Sequence, residues 1–184
     1  MNLIGISGSP SLQSRSGWLL DAARERLATR VQHYVPIAVR ELPAEALLHA
    51  RFDDPAIRAA LAAVARADVV IVATPIYKAA YSGLLKVFLD LLPQDGLRGK
   101  TVLPLVTGGS PGHLLALDYA LKPVLASLGA RDILDGVFAT DQQIRTHDAG
   151  YSAGDELSER LDRALEPLLR VQRPVRPPLN LVRA

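Results

Sequence analysis

Short apolar runs alternate with stretches of helical periodicity along most of the chain. A continuous β-branched run, as in residues 68–74, is typical of a strand buried on both faces of a parallel sheet. Five short apolar runs predict strands, and they cover residues 3–6, 33–39, 68–74, 101–106 and 133–138. Pro36 favours an edge position for the second strand. Pro75 is expected to end the third, and Asp135 with Gly136 interrupts the fifth.

Apolar residues recur at the spacing of amphipathic helices between these runs. Asp54 followed by Pro55 is a typical helix start, because an N-cap carboxylate precedes a proline in the first turn. A short helix is expected within a loop at 41–53, and residues 140–153 are expected to form a polar loop. The longer predicted helices cover 18–29, 82–92, 113–128, 155–170 and the segment that starts at Pro55.

This alternation predicts an α/β fold: a doubly wound, five-stranded parallel sheet between two layers of helices. The fold is expected to occupy one domain over residues 1–170. Residues 171–184 form an Arg/Pro-rich tail that is predicted to be extended or disordered.

Composition narrows the possible functions. The 184 residues include no cysteine, which excludes disulfides, thiolate catalysis and cysteine metal sites. The four histidines show no ligand spacing, so no metal site is predicted. The net charge is only +2, and the arginines are scattered through the helices and crowd only at the C-terminal end, which predicts no nucleic-acid partner. No apolar run is long enough for a membrane span and no signal peptide is evident, so a cytoplasmic protein is expected.

Ligands of doubly wound sheets bind at the carboxyl ends of the strands, so the loops there are the candidate sites. After the first strand, hydroxyl groups and a guanidinium precede or open a helix, at Ser9, Ser14, Arg15 and Ser16. Helix-terminal N–H groups, hydroxyls and arginine together suit a phosphate monoester. An ordinary turn with a serine N-cap is the alternative. The loop has neither the Walker A pattern nor GxGxxG.

Two further loops follow the third and fourth strands. Their backbone groups suit the polar edge of a flat ring, Tyr77 offers a planar face and Lys78 a cation. The glycines allow close backbone approach. Surface loops without a ligand are the alternative. The candidate residues are Pro75, Ile76, Tyr77 and Lys78 in the first of these loops, and Thr107, Gly108 and Gly109 in the second.

One loop suited to a phosphate, beside two loops suited to a flat polar ring, predicts a site for a mononucleotide such as FMN. Hydride chemistry then belongs to the flavin, and no catalytic side chain is predicted. Four separated segments support this interpretation, because they resemble the NADPH-dependent FMN reductase family when taken in order. They are GSPS…SRS, ATPIYKAAYSGLLKVFLDLLP, GKTVLPLVTGGSPGHLLALDYALKPVL and GVFATD.

The resemblance covers about residues 3–170 and is greatest to the flavin reductases of two-component alkanesulfonate monooxygenase systems. It implies a flavodoxin-like sheet with strand order 2-1-3-4-5. It also implies that NAD(P)H reduces FMN and that free reduced FMN passes to an alkanesulfonate monooxygenase. By the same resemblance, the serines and Arg15 of the first loop hold the FMN phosphate, and the other two loops line the ring.

The resemblance further implies a homo-oligomer, a dimer of dimers. Tyr119, within LLALDYALKP, matches an inserted residue that forms a π-bulge at the tetramer interface and takes part in flavin transfer. An interface aromatic without a role in flavin exchange is the alternative for this residue.

Two other functions are compatible with these motifs. A quinone or azo-dye reductase would keep its flavin bound during turnover. A flavodoxin-like electron carrier would not use NADPH, and the weakly basic charge disfavours it.

Overall fold

The computed structural model describes residues 1–148 and 150–170, and the tail at 171–184 lies outside them. A parallel sheet runs through the centre in the order β2-β1-β3-β5, followed by β6 and β7, which both pair with β5. Its strands are β1 (Asn2–Ser7), β2 (His33–Ala38), β3 (Val69–Tyr77), β5 (Thr101–Gly108), β6 (Asp132–Ile133) and β7 (Val137–Thr140), and β4 (Ala80–Tyr81) pairs antiparallel with β3.

The predicted strand order 2-1-3-4-5 is confirmed, with β5 as the fourth strand and β6 and β7 as the two halves of the fifth. The interruption of the fifth strand lies at Gly136, whose φ is +82°. A Cβ there would stand 2.6 Å from the Pro104 carbonyl oxygen, so the backbone of this strand passes too close to β5 for a side chain.

Helices cover both faces of the sheet, as the three-layer prediction requires. Successive residues of the central strands face opposite cores: Val70 and Val72 lie in one, and Val69 and Ile71 in the other. Helices α2 to α5 cover the first core, and α1 and α6 cover the second. The helices are α1 (Arg15–Arg26), α2 (Ala44–Leu48), α3 (Pro55–Arg66), α4 (Gly83–Leu89), α5 (Lys122–Ser127) and α6 (Asp155–Arg170).

Pro75 does not end the third strand, and that prediction is wrong. Strand β3 pairs with β1 only as far as Ala73, while its pairing with β5 continues to Pro75. Beyond Ala73 one side of the strand therefore has no parallel neighbour, and a residue without an N–H is tolerated there. The strand continues to Tyr77 and turns back into β4.

The polar loop predicted at 140–153 is also wrong, because this segment folds into a hairpin. Strands β8 (Ile144–His147) and β9 (Gly150–Ala153) form an antiparallel pair apart from the main sheet. Ile144 is fully buried against the α1 and α6 core. Tyr151 and Ala153 of β9 pack against the same core but are only partly buried, so the segment shows too little hydrophobic alternation for a sequence pattern to indicate strands.

The helix predicted at 113–128 is divided into three kinds of helix. A 3-10 turn at Pro111–Leu114 leads to a π-helix at Leu117–Leu121, and α5 follows. Pro123 lies in the first turn of α5, directly after the π-helix, so the predicted helix changes its hydrogen-bonding pattern just before the proline. The π-helix contains Tyr119, so the implied π-bulge is present. In the described part of the chain, no helix is long and apolar enough to cross a membrane.

Candidate functional site

The three predicted loops lie side by side at one edge of the sheet. Ser7 at the end of β1 pairs with Ala73 in β3, and Pro75 pairs with Thr107 in β5. Each of the three loops follows a carboxyl end, so all of them open toward the same edge. The structure therefore brings together the three loops that the sequence predicts separately.

The first loop leads into α1 through a serine cap. The Oγ of Ser14 accepts a hydrogen bond from the Gly17 N–H at 3.0 Å, which fixes the start of the helix at Arg15. Ser16 and Ser9 are buried, and the Ser9 Oγ accepts from the Ser11 N–H at 3.2 Å. The Ser14 and Ser16 Oγ atoms lie 3.5 Å apart, so one of these hydroxyls can donate to the other, whereas the Ser9 hydroxyl keeps its proton to donate. Together with the first-turn N–H groups these hydroxyls are donors of the kind a phosphate accepts, although Ser9 and Ser16 are only 1% and 0% exposed and lie beneath the surface of the loop.

Arg15 faces the β8–β9 hairpin. Its Nε donates to the Ile144 carbonyl oxygen at 3.1 Å, and its guanidinium carbon lies 5.9 Å from the centroid of the Tyr151 ring. Nε is also 3.8 Å from a carboxylate oxygen of Asp141. A guanidinium has four further N–H donors on its two outer nitrogens. Arg15 can therefore hold the hairpin through Nε while it offers the outer nitrogens to an anion.

The second loop is a two-residue hairpin turn between β3 and β4. Lys78 and Ala79 have φ values of +51° and +65°, as the central residues of a type I′ turn do. This conformation costs a non-glycine residue about 1–2 kcal/mol, so the surrounding pairing of Ile76 with Tyr81 must hold it. The turn leaves Tyr77 about half exposed, with a relative accessibility of 48%. Tyr77 and Lys78 are therefore exposed at the outer side of this loop, called the open mouth below, while Ile76 is buried.

The third loop combines a buried end of β5 with an open turn. Thr107 is buried, and a Cβ at Gly108 would lie 3.1 Å from the Cβ of His113 and 3.2 Å from the ring of Phe138. A Cβ at Gly109 would meet only the Asp141 carboxylate, at 4.0 Å. Gly108 therefore keeps the loop close-packed, and Gly109 leaves space on the outside.

A buried hydrogen-bond network joins the first loop to the second. The Ser82 Oγ donates to the Gly8 carbonyl oxygen at 2.5 Å and accepts from the Leu85 N–H at 3.1 Å, which also caps α4. The Ser82 N–H donates to the Thr74 Oγ1 at 3.1 Å, and the Gly8 N–H donates to the Ala73 carbonyl oxygen at 2.8 Å. The sequence indicates the Ser82 cap but not its bond to Gly8. The network fixes the spacing of the two loops.

The described residues contain no candidate metal site. Within residues 1–148 and 150–170, no group of three or more His, Asp and Glu side chains is arranged to hold an ion. The donor set at the sheet edge consists instead of hydroxyls, backbone groups and cations.

Comparison with known proteins identifies the family. The family model described as NADPH-dependent FMN reductase matches residues 1–145. The chain belongs to the NADPH-dependent FMN reductase family. It is 50% identical to the FMN reductase (NADPH) of Pseudomonas putida, over 96% of this chain and 93% of that protein. The same identity to the FMN reductase (NADPH) of Escherichia coli K12 covers 90% and 87%.

More distant relatives include the NADH-dependent FMN reductase SfnF of Pseudomonas putida, at 31% identity over 90% of each chain. Among solved structures, the apo form of an NADH:FMN oxidoreductase (EMOB) superposes with a TM-score of 0.83 at 41% identity, covering 94% of this chain and 91% of that one. A flavodoxin of Streptococcus pneumoniae shares the fold, with a TM-score of 0.59 at 20% identity over 91% and 96%.

These comparisons confirm the predicted family, the flavodoxin-like fold and the assignment as an oxidoreductase that uses FMN and NADPH. The roles of single residues in flavin binding stay predictions. So do the transfer of reduced flavin to a monooxygenase and the oligomeric state.

Proposed function

We propose that this FMN reductase binds the FMN phosphate at the first loop, through Ser9, Ser14, Arg15 and Ser16, and the flavin ring between the other two. The observation that supports this most is the juxtaposition of the three loops at one sheet edge. The ring-lining residues in the proposal are Pro75, Ile76, Tyr77, Lys78, Thr107, Gly108 and Gly109.

In this proposal the protein supplies position and charge. When bound, the flavin ring supplies the hydride acceptor, so no acid or base is required among the side chains. The phosphate loop holds one end of the ligand and the strained Lys78–Ala79 turn limits the other. The exposed Tyr77 leaves one side of the mouth open to a second ligand, as a reaction between FMN and NADPH requires.

We further propose that reduced FMN leaves the protein in the cytoplasm and serves an alkanesulfonate monooxygenase. This part rests on the motif resemblance, chiefly on LLALDYALKP. The open mouth at Tyr77 and the exposed Lys78 are compatible with release of the flavin after reduction.

Steady-state NADPH oxidation tests the proposed activity. We expect rapid oxidation with added FMN, and the release of reduced FMN that a separate FMNH2-dependent monooxygenase can consume. FAD, riboflavin and a quinone serve as competing acceptors. Efficient quinone turnover with tightly held flavin would contradict release of the flavin. Failure to oxidise NADPH in the presence of excess FMN would contradict the reductase activity itself.

We also propose that the surface around the π-helix joins copies of the chain into a dimer of dimers. Tyr119 is 80% exposed, and Leu115 and Leu114 beside it are 60% and 46% exposed. A cluster of exposed apolar side chains of this kind favours protein association. The π-helix itself turns Tyr119 outward, because one extra residue shifts the register of the helical face.

The Tyr119→Asp variant tests this interface. A carboxylate in an apolar contact carries a large desolvation cost, so we expect a smaller assembly by light scattering coupled to gel filtration. Phe52→Asp is the matched control, because Phe52 is 54% exposed in a different part of the surface. An equal molecular mass for the wild-type and Tyr119→Asp proteins would show that Tyr119 is not part of the interface.

A further inference from the structure

A groove of about 450 Å³ lies beside the phosphate loop, between α1 and the edge strand β2. Its floor consists of Gly5 and Ser7 from β1 with Tyr34 and Ala38 from β2. Helices α1 and α6 cover the central strands of this face, but β2 at the edge is left partly open. Leu12, Gln13 and Ser14 of the first loop also line the groove, so it adjoins the proposed FMN phosphate site. It is separate from the two ring-lining loops, which follow β3 and β5.

Two buried polar atoms line this groove without a hydrogen-bond partner among the described residues. They are the Ser7 Oγ, in a residue that is 9% exposed, and the Arg40 Nε. Buried polar atoms are nearly always hydrogen-bonded in folded proteins. Their pairing requirement is met only if a ligand or water enters the groove.

The remaining lining suits a nucleoside. Trp18 and Tyr151 add aromatic faces at the rim, and Asp21 adds a carboxyl whose pKa is raised by burial. Aromatic faces pack against a base, and carboxyl, hydroxyl and amide groups bind ribose hydroxyls. The groove is too small for a whole dinucleotide but is within the size range of ligand pockets.

Arg40 gives the groove a preference for phosphate. It lies two residues beyond β2, in the 3-10 turn Val39–Glu41, and its outer nitrogens contact the Ser11 carbonyl oxygen at 3.4 Å and Glu41 at 2.7 Å. In doubly wound dinucleotide sites, an arginine near the end of the second strand accommodates the adenosine 2′-phosphate. Strand β2 here lies directly beside β1 and its phosphate loop, which is the same relation.

We propose that this groove binds the adenosine 2′-phosphate end of NADPH, with Arg40 as the cation that selects NADPH over NADH. The inference rests on the proposed function, because it places the second substrate next to the FMN site. The nicotinamide end would extend from the groove past the phosphate loop toward the open mouth at Tyr77.

The only tryptophan of the chain lines the groove and serves as a reporter. We expect 2′,5′-ADP to change the Trp18 emission of the flavin-free, full-length protein saturably, and 5′-AMP, which lacks the 2′-phosphate, to bind about tenfold or more weakly. Calorimetry on the FMN-saturated protein should also show that 2′,5′-ADP binds more tightly than 5′-AMP. Equal binding of the two nucleotides, no binding, or displacement of 2′,5′-ADP by FMN would overturn the assignment.

Two variants with opposite expected effects complete the test. Arg40→Ala should raise the KM for NADPH about ten- to hundredfold and leave the KM values for NADH and FMN unchanged. Glu41→Gln removes the carboxylate that competes for Arg40, so it should tighten 2′,5′-ADP binding. Arg51→Ala is the control, because Arg51 pairs with Glu45 outside the groove.

The outcomes separate this inference from the proposed function. Wild-type protein that reduces FMN with NADPH, together with an unchanged NADPH KM in Arg40→Ala, would overturn only the groove assignment. Wild-type protein that reduces FMN with neither nucleotide would instead contradict the reductase activity. A rise in the FMN KM of Arg40→Ala, with NADPH unaffected, would assign Arg40 to support of Ser11 in the phosphate loop.

Discussion

Arg15→Ala is expected to raise the KM for FMN by about ten- to hundredfold and to leave the KM for riboflavin nearly unchanged. A hydrogen bond between a guanidinium and a phosphate contributes roughly 1.5–3 kcal/mol, and riboflavin carries no phosphate to accept it. The measurement is NADPH oxidation at varied concentrations of each flavin.

The contact of Arg15 with the β8–β9 hairpin requires a control for indirect effects. Arg26→Ala removes another arginine of α1, one that pairs with Asp162 at 2.6 Å and lies at the far end of the helix. We expect it to leave both flavins unaffected. An equal rise in KM for FMN and riboflavin in Arg15→Ala would show that Arg15 acts through the hairpin and not on the phosphate.

Gly8→Ala is expected to destabilise the fold by about 2–3 kcal/mol and to weaken FMN binding strongly. A Cβ at position 8 would lie 2.6 Å from the Cβ of Leu85 and 3.2 Å from the Ser82 Oγ. Because Leu85 is fully buried in α4, the backbone of the phosphate loop must move instead. For a chain of this length the melting temperature should fall by roughly 5–10 °C.

Gly83→Ala is the matched control for this variant. Position 83 is the first residue of α4 and no atom lies within 4 Å of a Cβ built there, so alanine should be neutral or slightly stabilising. A Gly8→Ala protein with wild-type melting temperature and FMN affinity would mean that the link between the two loops is not required.

Local sequence signals predicted most of the fold. The apolar runs located the strands of the main sheet. Ser14, Asp54 and Ser82 all cap helices through their side chains. The errors occurred where tertiary context outweighs local preference. Pro75 continues its strand because one side lacks a neighbour, and the Lys78–Ala79 turn lacks the glycine or asparagine that normally marks such a turn.

The candidate loops could be predicted because their chemistry is local, whereas the contacts between them could not. Arg15 meets Ile144 across 129 positions and Ser82 meets Gly8 across 74, and neither spacing leaves a pattern in the sequence. The groove beside β2 was missed for the same reason. Its residues come from two strands, the first loop, α1, the 3-10 turn with Arg40 and the β8–β9 hairpin, each of which has an ordinary sequence of its own.

A crystal structure of the protein with bound FMN would locate the phosphate and the flavin ring. We expect the phosphate within hydrogen-bonding distance of the Ser14 and Ser16 hydroxyls and the first-turn N–H groups of α1, with the ring between the turn at Tyr77 and the loop at Gly108. A phosphate seated at Arg40 in the groove, or a first loop closed by its own side chains, would contradict this expectation.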